Sequence, residues 1–181
     1  MTERPILFRP EMVRAILDGR KSQTRRIVKP QPVAGVRNSP FVPSQLEDGH
    51  GREIRCRYGY IGDRLYVRER WAVCDHCGVV DYAADPSRCC RGCDGPRPTR
   101  WKPSIYLRRD DSRLTLEITE IRMERVREIS EDDARAEGMT TGWFGLARWE
   151  FRELWERIHA KDGFGWDVNP FVWMLTFKVI P

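Results

Sequence analysis

Four cysteines stand in two close pairs in the middle of the sequence, and they restrict the local fold more than any other feature. The pairs are Cys74 with Cys77 and Cys90 with Cys93, in the spacing C-x2-C-x12-C-x2-C. Two such pairs joined by a loop can place four thiolates tetrahedrally around zinc, which prefers sulfur ligands. Gly78 and Gly92 suit the tight turns that follow each pair. We therefore predict a bound Zn²⁺ ion.

All four positions around this zinc would be filled by protein, so no position remains open for water and the predicted role is structural. Cys89 competes with Cys90 as a ligand, and His76 is a further alternative. Disulfides are the other interpretation, although the N-terminus lacks the basic start and apolar run of a signal peptide. Cys56 has no close partner in sequence and is expected to be a packed thiol.

Residues 74–98 are expected to form a zinc ribbon inserted between two strands of a single domain that spans residues 1–181. Proline and glycine punctuate this segment, as they do in loops. Its arginines make it basic: Arg88, Arg91, Arg97 and Arg100. The ribbon either extends a nucleic-acid surface or is a solvated knuckle.

Hydrophobic periodicity predicts a mixture of helices and strands around this insertion. The predicted helices are 10–18, 131–137 and 146–160, the predicted strands are 6–8, 24–28, 64–73, 114–126 and 171–180, and 29–51 is predicted to be a long loop. The apolar alternation of strand 114–126 changes phase after Ile118, which predicts a bulge or bend. Ser130 followed by Asp133 is typical of a helix N-cap, and Gly138 of a helix end.

A polar corner joins the first predicted helix to the second predicted strand. It reads Gly-Arg-Lys-Ser-Gln-Thr-Arg-Arg over residues 19–26. Gly19 fits the left-handed position that ends a helix, Lys21 lies in the turn, and Thr24 and Arg26 share one face of the strand. A cation, a hydroxyl and a guanidinium at one corner suit a polar or anionic ligand. A hydroxyl beside an amine can also be a nucleophile beside its base.

The same corner resembles the signature of a known family. Gly19, Lys21 and Arg26 match G-x-K-x-x-x-x-R of the ASCH domain, a small PUA-like β-barrel associated with RNA. The family often has an acidic residue where Thr24 stands. Thr24 is similar instead to the branch that hydrolyses N(4)-acetylcytidine, which carries G-x-K-x-x-T-x-R. The run W-x-P-S-I at 101–105, followed by basic residues and Ser-Arg, also resembles phage-related ASCH proteins.

The resemblance implies a catalytic set. In the hydrolase branch a Lys, a Thr and a distant Glu act together, so Lys21 and Thr24 take the first two roles. Glu137 is assigned the third, because it stands at a predicted helix end before a polar turn; the alternative is a surface carboxylate with no role. We expect Glu137 to be solvent-reachable. Burial or the nearby Arg26 must lower the pKa of Lys21 if it acts as a base at neutral pH.

Two further residues are candidates for substrate contact, Arg26 and Glu69. Glu69 points to the same side of its predicted strand as Val67, where it would pair with Arg26 or contact a ligand. A structural ion pair is the alternative. The resemblance implies an α+β fold, with one PUA-like β-barrel, flanking helices and the zinc ribbon as an insertion.

The charge of the chain favours a nucleic-acid partner, and its hydropathy does not favour a membrane span. The net charge is +5, and 27 of the 32 basic residues are arginine, which contacts phosphate bidentately and stacks on bases. An arginine-rich solvated surface is the alternative. No apolar run approaches the ~20 residues of a membrane span, and a cytoplasmic location without membrane contact is expected. The oligomeric state stays open.

Three functions are compatible with the sequence. The first is amide hydrolysis of N(4)-acetylcytidine or a related acylated base. The others are a non-catalytic module that binds RNA or a modified base, and a ribonuclease. The paired Lys21 and Thr24 favour the hydrolase, because a pure binder has no need of both. The ribbon and long loops favour the other two, because the compact hydrolases that the motif resembles lack them.

Overall fold

The computed structural model describes residues 2–33, 35–38, 46–85, 98–140 and 146–180. It is a mixed α+β fold. In chain order the elements are β1 (Glu3–Leu7), α1 (Pro10–Leu17), β2 (Gln23–Ile27), β3 (Val36–Asn38), β4 (Leu46–Asp48), β5 (Glu53–Ile54), β6 (Arg64–Arg68), β7 (Trp71–Val73), β8 (Val80–Tyr82), β9 (Thr115–Arg125), α2 (Glu131–Ala136), α3 (Ala147–His159) and β10 (Phe171–Ile180). Short 3₁₀ helices cover Ser104–Tyr106, Val126–Glu128 and Ala160–Asp162. No described helix has the length and apolar character that crossing a membrane requires.

A five-stranded sheet in the order β1-β6-β9-β10-β2 forms the centre of the fold. β1 and β6 are parallel, and the other neighbouring pairs are antiparallel. Helix α1 connects the two edge strands, β1 and β2, and buries Val13 and Ile16 in the same cluster as Leu65 and Leu116 of the sheet. The helix therefore covers one face of the sheet, as the apolar spacing of its sequence predicts.

The expected closed barrel is not seen among the described residues. The central sheet ends at β1 on one side and at β2 on the other, and the small sheets β3-β4-β5 and β7-β8 are separate from it. The physical reason is the route of the chain: α1 carries it from one edge to the other across a face, so these two strands do not meet. Hydrophobic periodicity predicts where the strands lie, but it does not predict whether they close into a barrel.

The long hairpin of β9 and β10 carries an irregularity where the sequence predicts one. Thr176 pairs with Glu120, and the next residue, Phe177, pairs with Ile118, so Thr119 is the extra residue on β9. This confirms the predicted bulge after Ile118. The extra residue returns Ile118 and Leu116 to the buried side of the strand.

The second core lies between the sheet and the helices α2 and α3. It holds Phe151, Trp155, Trp166 and Val172, with Met12 of α1 packed against it. Ser130 caps α2 by accepting a hydrogen bond from the backbone N–H of Asp133 at 3.1 Å. This core therefore brings the ends of α1, α2 and α3 together at one side of the sheet.

The prediction of a long loop over 29–51 is wrong in its described part, which contains β3 and β4. Asp48 organises the turn after β4, because its side chain accepts the backbone N–H groups of His50 and Arg52, both at 2.9 Å. Strands of three residues are too short for apolar alternation to show in the sequence.

Candidate functional site

Two helix ends meet at the predicted site, although they are far apart in sequence. Gly19 ends α1 with φ +72°, and Gly138 follows α2 with φ +91°. Lys21 and Glu137 face each other as an antiparallel bridge, and the backbone N–H of Ser22 donates to the carbonyl of Ala136 at 2.8 Å. The backbone itself therefore fixes the two predicted catalytic residues side by side.

The site depends on a glycine at position 138. An added Cβ there would lie 3.1 Å from the Cβ of Ala15 and 3.2 Å from the Cβ of Lys21. The positive φ also disfavours any other residue. Gly138 thus lets α1, Lys21 and the end of α2 pack without space for a side chain between them.

Lys21 and Glu137 form a buried ion pair. The amine Nζ of Lys21 lies 2.6 Å from Oε2 of Glu137 and donates a second hydrogen bond to the Glu137 carbonyl oxygen at 2.8 Å. The side chains are 2% and 6% exposed, so the expectation that Glu137 is solvent-reachable is wrong. The residue caps α2, but the end of α1 covers it.

Burial lowers the pKa of Lys21 below its ordinary value, and Glu137 opposes this effect by favouring the ammonium form. Arg25 and Arg26 add smaller contributions that lower the pKa further. The direction is the one that base chemistry requires, because a neutral amine is needed to accept a proton.

Arg25 completes the charge network, and sequence reasoning missed it. Its Nε donates to Glu124 at 2.8 Å, and its terminal nitrogens lie 3.2 Å from Asp133 and 3.3 Å from Oε1 of Glu137. The guanidinium also lies over the ring of Phe151, 5.9 Å from its centroid. Arg25 therefore binds the Glu137 oxygen that Lys21 does not. The sequence did contain one signal for this role: Arg25 shares a strand face with the apolar Ile27, opposite the face of Thr24.

A cleft of about 150 Å³ opens beside this network. Lys21, Thr24, Arg26 and Glu137 all line it, so the structure brings together four of the residues chosen from sequence. Thr24 is buried. The terminal nitrogen of Arg26 donates to the carbonyl of Leu7 at 2.7 Å.

Four aromatic residues contribute to the remaining wall of the cleft: Phe8, Phe151, Trp155 and His159. Phe8 lies beneath Arg26, with 4.9 Å between the ring centroid and the guanidinium carbon. The rings of Trp155 and His159 pack at a tilt of 48° with their centroids 4.3 Å apart, and both line the cleft. Trp155 is also buried, and its place in the cleft wall is a feature that sequence reasoning missed.

His159 is uncharged at neutral pH. Burial, with the positive charge of Arg26 as the next cause, lowers the pKa of His159 to about 4. Arg9 and Lys29 act on it in the same direction, whereas Asp162 opposes them. The mouth of the cleft is thus a positively charged environment.

Glu69 lies outside this group of residues. It is buried just beyond the end of β6, and its carboxylate pairs with Arg113 at 2.8 and 3.0 Å rather than with Arg26. Arg113 precedes β9, which pairs with β6, and this register brings its guanidinium to the end of β6. Arg113 also binds Asp85 at 2.7 Å. The contact is the structural ion pair that the sequence left as the alternative.

The first cysteine pair lies in the turn of the β7–β8 hairpin. The N–H of Cys74 donates to Val79 at 2.8 Å, and the N–H of Gly78 donates to Cys74 at 2.9 Å. Gly78 has φ +70°, as a tight knuckle around Cys74 and Cys77 requires. The other predicted ligands, Cys90 and Cys93, lie outside the described residues, as do Cys89 and the rest of 86–97. The described residues contain no complete group of metal ligands.

No family model matches the chain, and no curated protein matches it. Among solved structures, the chain is similar to an ASCH domain from Lactobacillus crispatus JV V101, with 17% identity and a TM-score of 0.45 over 98% of this chain and 79% of that one. It is also similar to protein EF3133 from Enterococcus faecalis V583, which carries the family designation DUF984. That match has 12% identity and a TM-score of 0.46 over 99% of this chain and 80% of the other.

Proposed function

We propose that this chain hydrolyses the amide of an acylated pyrimidine base such as N(4)-acetylcytidine. The observation that carries the proposal is the buried Lys21–Glu137 pair, 2.6 Å apart, in the wall of a cleft that Thr24 also lines. A buried amine of lowered pKa and a hydroxyl in the wall of one cleft are the groups that nucleophilic amide cleavage uses.

In the proposed reaction, Thr24 is the nucleophile. The neutral amine of Lys21 accepts the Thr24 hydroxyl proton while Oγ1 bonds to the amide carbonyl carbon. The C–N bond then breaks, and the proton passes from the Lys21 ammonium to the departing exocyclic amine. Water hydrolyses the resulting acyl ester and restores the threonine, with the acid as the second product. Each proton that Lys21 accepts is returned within the cycle.

Glu137 and Arg26 have supporting roles in this scheme. Glu137 holds the Lys21 amine in place and stabilises its protonated form between the two proton transfers. Arg26 faces the cleft as a fixed cation, where it can stabilise the negative charge that develops on the carbonyl oxygen. Phe8 and Trp155 offer apolar ring surfaces against which a flat base can stack.

A non-catalytic module for RNA or a modified base is the second candidate. It is favoured by the aromatic wall and by Arg26, which would recognise a base without any chemistry. It does not account for the burial of Lys21 against Glu137, which is costly for the fold. Ribonuclease activity, the third function compatible with the sequence, is not favoured by any specific contact in this cleft.

We also infer a structural zinc held by Cys74, Cys77, Cys90 and Cys93. Support comes from the ligand spacing and from the tight hairpin turn that carries the first pair. The zinc would stabilise the fold of residues 74–98, and no step of the proposed reaction involves it.

The test of the hydrolase is the release of cytidine from N(4)-acetylcytidine, followed by chromatography at several protein concentrations. Thr24→Ala and Lys21→Met should each abolish turnover, because a nucleophile and its base act as one unit. Thr176→Ala is the matched control. That threonine lies on β10, beside β2, and its hydroxyl contacts Glu120 at 3.3 Å on the exposed side. Turnover that persists in Thr24→Ala, or that is absent from the wild type on N(4)-acetylcytidine, on its 5′-monophosphate and on acetylated RNA alike, rules the proposal out.

A further inference from the structure

A second groove adjoins the cleft and is lined by arginines. Arg9, Glu11, Met12 and Leu154 line both, so the two are continuous. We call it the arginine groove, after its four arginines Arg9, Arg14, Arg20 and Arg157. At about 410 Å³ it is larger than the cleft itself.

The cleft is too small for a whole nucleotide. Pockets that enclose drug-sized molecules measure roughly 300–1,000 Å³, whereas this one measures about 150 Å³. One flat base with its acyl group fits such a space. The sugar, and anything attached to it, must then lie outside the cleft, and the arginine groove is continuous with its mouth.

Two of the four arginines are available for a ligand. Arg14 donates from Nε and a terminal nitrogen to the Ala84 carbonyl at 3.0 and 2.7 Å, and Arg20 pairs with Asp18 at 2.8 Å. Arg9 and Arg157 are exposed and form no ion pair within the described part of the chain. Their guanidinium groups therefore require no partner to be displaced before they bind an anion.

The acidic residues of the groove do not cancel this charge. Glu11 and Glu150 also line it, so the arginines still exceed the carboxylates by one when Arg20 is counted with its partner Asp18. Glu150 lies 3.4 Å from the Thr140 hydroxyl, which donates to it. Arg9 lines both the groove and the cleft, so its positive charge lies near both, and it is among the groups that lower the pKa of His159.

We propose that the arginine groove is a phosphate subsite, with Arg9 and Arg157 contacting a phosphate of the molecule whose base occupies the cleft. The substrate is therefore a nucleotide rather than a free nucleoside. This inference rests on the proposed function insofar as it assigns a pyrimidine base to the cleft. Arginine suits the role because its planar guanidinium binds phosphate oxygens in pairs.

The first test measures binding without chemistry. Calorimetric titration of the full chain with cytidine and with cytidine 5′-monophosphate should show the phosphate-bearing ligand binding at least about tenfold more tightly. Arg9→Gln/Arg157→Gln should remove this preference. The matched control is Arg64→Gln/Arg152→Gln, which has the same change in charge at exposed arginines that do not line the groove, and it should retain the preference.

The phosphate could be a free nucleotide's monoester or a strand's diester, and a third ligand distinguishes them. A short cytidine-containing RNA without terminal phosphates should bind more tightly than the monophosphate if the groove follows a strand, and more weakly if it takes a terminal phosphate. Either result supports a phosphate subsite. Equal affinity of the wild type for cytidine, its monophosphate and the RNA overturns it, as does a preference unchanged in the Arg9/Arg157 variant.

Hydrolysis assays separate this inference from the proposed function. If N(4)-acetylcytidine and its 5′-monophosphate are both cleaved with equal kcat/KM and bound equally, the hydrolase stands and the phosphate subsite falls. If neither is cleaved but the Arg9/Arg157-dependent binding preference is present, the subsite stands and the hydrolase falls.

Discussion

Arg25 and Glu137 lie 3.3 Å apart, and the Glu137 oxygen that Arg25 contacts is Oε1, not the Oε2 that Lys21 binds. Each oxygen of the Glu137 carboxylate is therefore held by one cation of the 19–26 corner, Oε2 by Lys21 and Oε1 by Arg25. The Arg25 side chain is fully buried, so this arrangement is isolated from water. It explains how a carboxylate after a short helix can have one defined orientation.

Removal of Arg25 should strongly destabilise the fold. Arg25→Met leaves carboxylates of Glu124, Asp133 and Glu137 without their shared cation, and removing one partner of a buried pair costs about 3–5 kcal/mol. Urea unfolding of the variant measures this loss. Arg135→Met is the control, because Arg135 is 49% exposed and pairs with the exposed Asp132 at 2.6 Å. A surface pair contributes about 0–1 kcal/mol, so equal losses in the two variants would contradict the role assigned to Arg25.

Lys21 and Glu137 should show strong energetic coupling. Lys21→Met leaves Glu137 with Arg25 as its remaining cation, and Glu137→Leu leaves the Lys21 amine without its carboxylate, whereas the double variant removes both groups. The double variant should therefore lose less free energy of unfolding than the sum of the two single losses, by about 1–3 kcal/mol. The measurement is a double-mutant cycle in urea at pH 7. Additive losses would show that the two groups do not interact in the folded protein.

The stability of the protein should increase between pH 4 and 6.5 because of His159. Its pKa is about 4 in the folded chain against an ordinary value of 6.5. Between these values the unfolded chain binds more protons, so the free energy of unfolding rises with pH through this window. His159→Gln should reduce the slope of unfolding free energy against pH. His50→Gln changes an exposed imidazole and should leave the slope unaltered; equal slopes in wild type and His159→Gln would refute the assignment.

One zinc per chain should accompany the protein purified without added metal, held by the four cysteines that we assign. Elemental analysis measures it. Cys74→Ser/Cys93→Ser should remove the metal, since the remaining thiolates cannot complete a tetrahedral site. Cys56→Ser is the control and should retain it. Metal-free wild type, or unchanged content in the double variant, would show that the spacing has another cause.

Gly138→Ala should lose both stability and activity. The new Cβ would meet Ala15 at 3.1 Å and Lys21 at 3.2 Å, at φ +91°. Gly163→Ala is a close control, because Gly163 also has a positive φ, +79°, but open space around its Cβ position. The difference between the two variants in thermal unfolding and turnover therefore reports the tight packing at position 138. Identical behaviour of the two would mean that backbone strain alone matters.

Local patterns gave the parts of the fold that depend on neighbours in sequence. The last strand begins at Phe171 and ends at Ile180, as predicted, and the bulge follows Ile118. These features depend on alternation that a single segment contains. The Ser130 cap of α2 is likewise set within four residues.

The contacts that complete the site depend on partners far along the chain. Arg25 meets Glu137 across 112 residues, and Glu69 meets Arg113 across 44. No pattern in one segment identifies such a partner, so Glu69 could not be distinguished from a ligand-binding carboxylate by sequence alone. The open edges of the sheet could not be predicted for the same reason, because no pattern within β1 or β2 alone tells whether the two strands pair with each other.

Among the described residues, those that line the cleft and the arginine groove come from 7–26 and 137–159. None comes from the described part of the stretch between them. That intervening stretch supplies β6, β9 and the β7–β8 hairpin. Its role is to support the two segments that line the cleft, 7–26 and 137–159. Insertions there, such as the proposed zinc ribbon, therefore leave in place the described side chains that line the cleft. The strand β9 and the helix α2 must nevertheless keep Glu124 and Asp133 against Arg25.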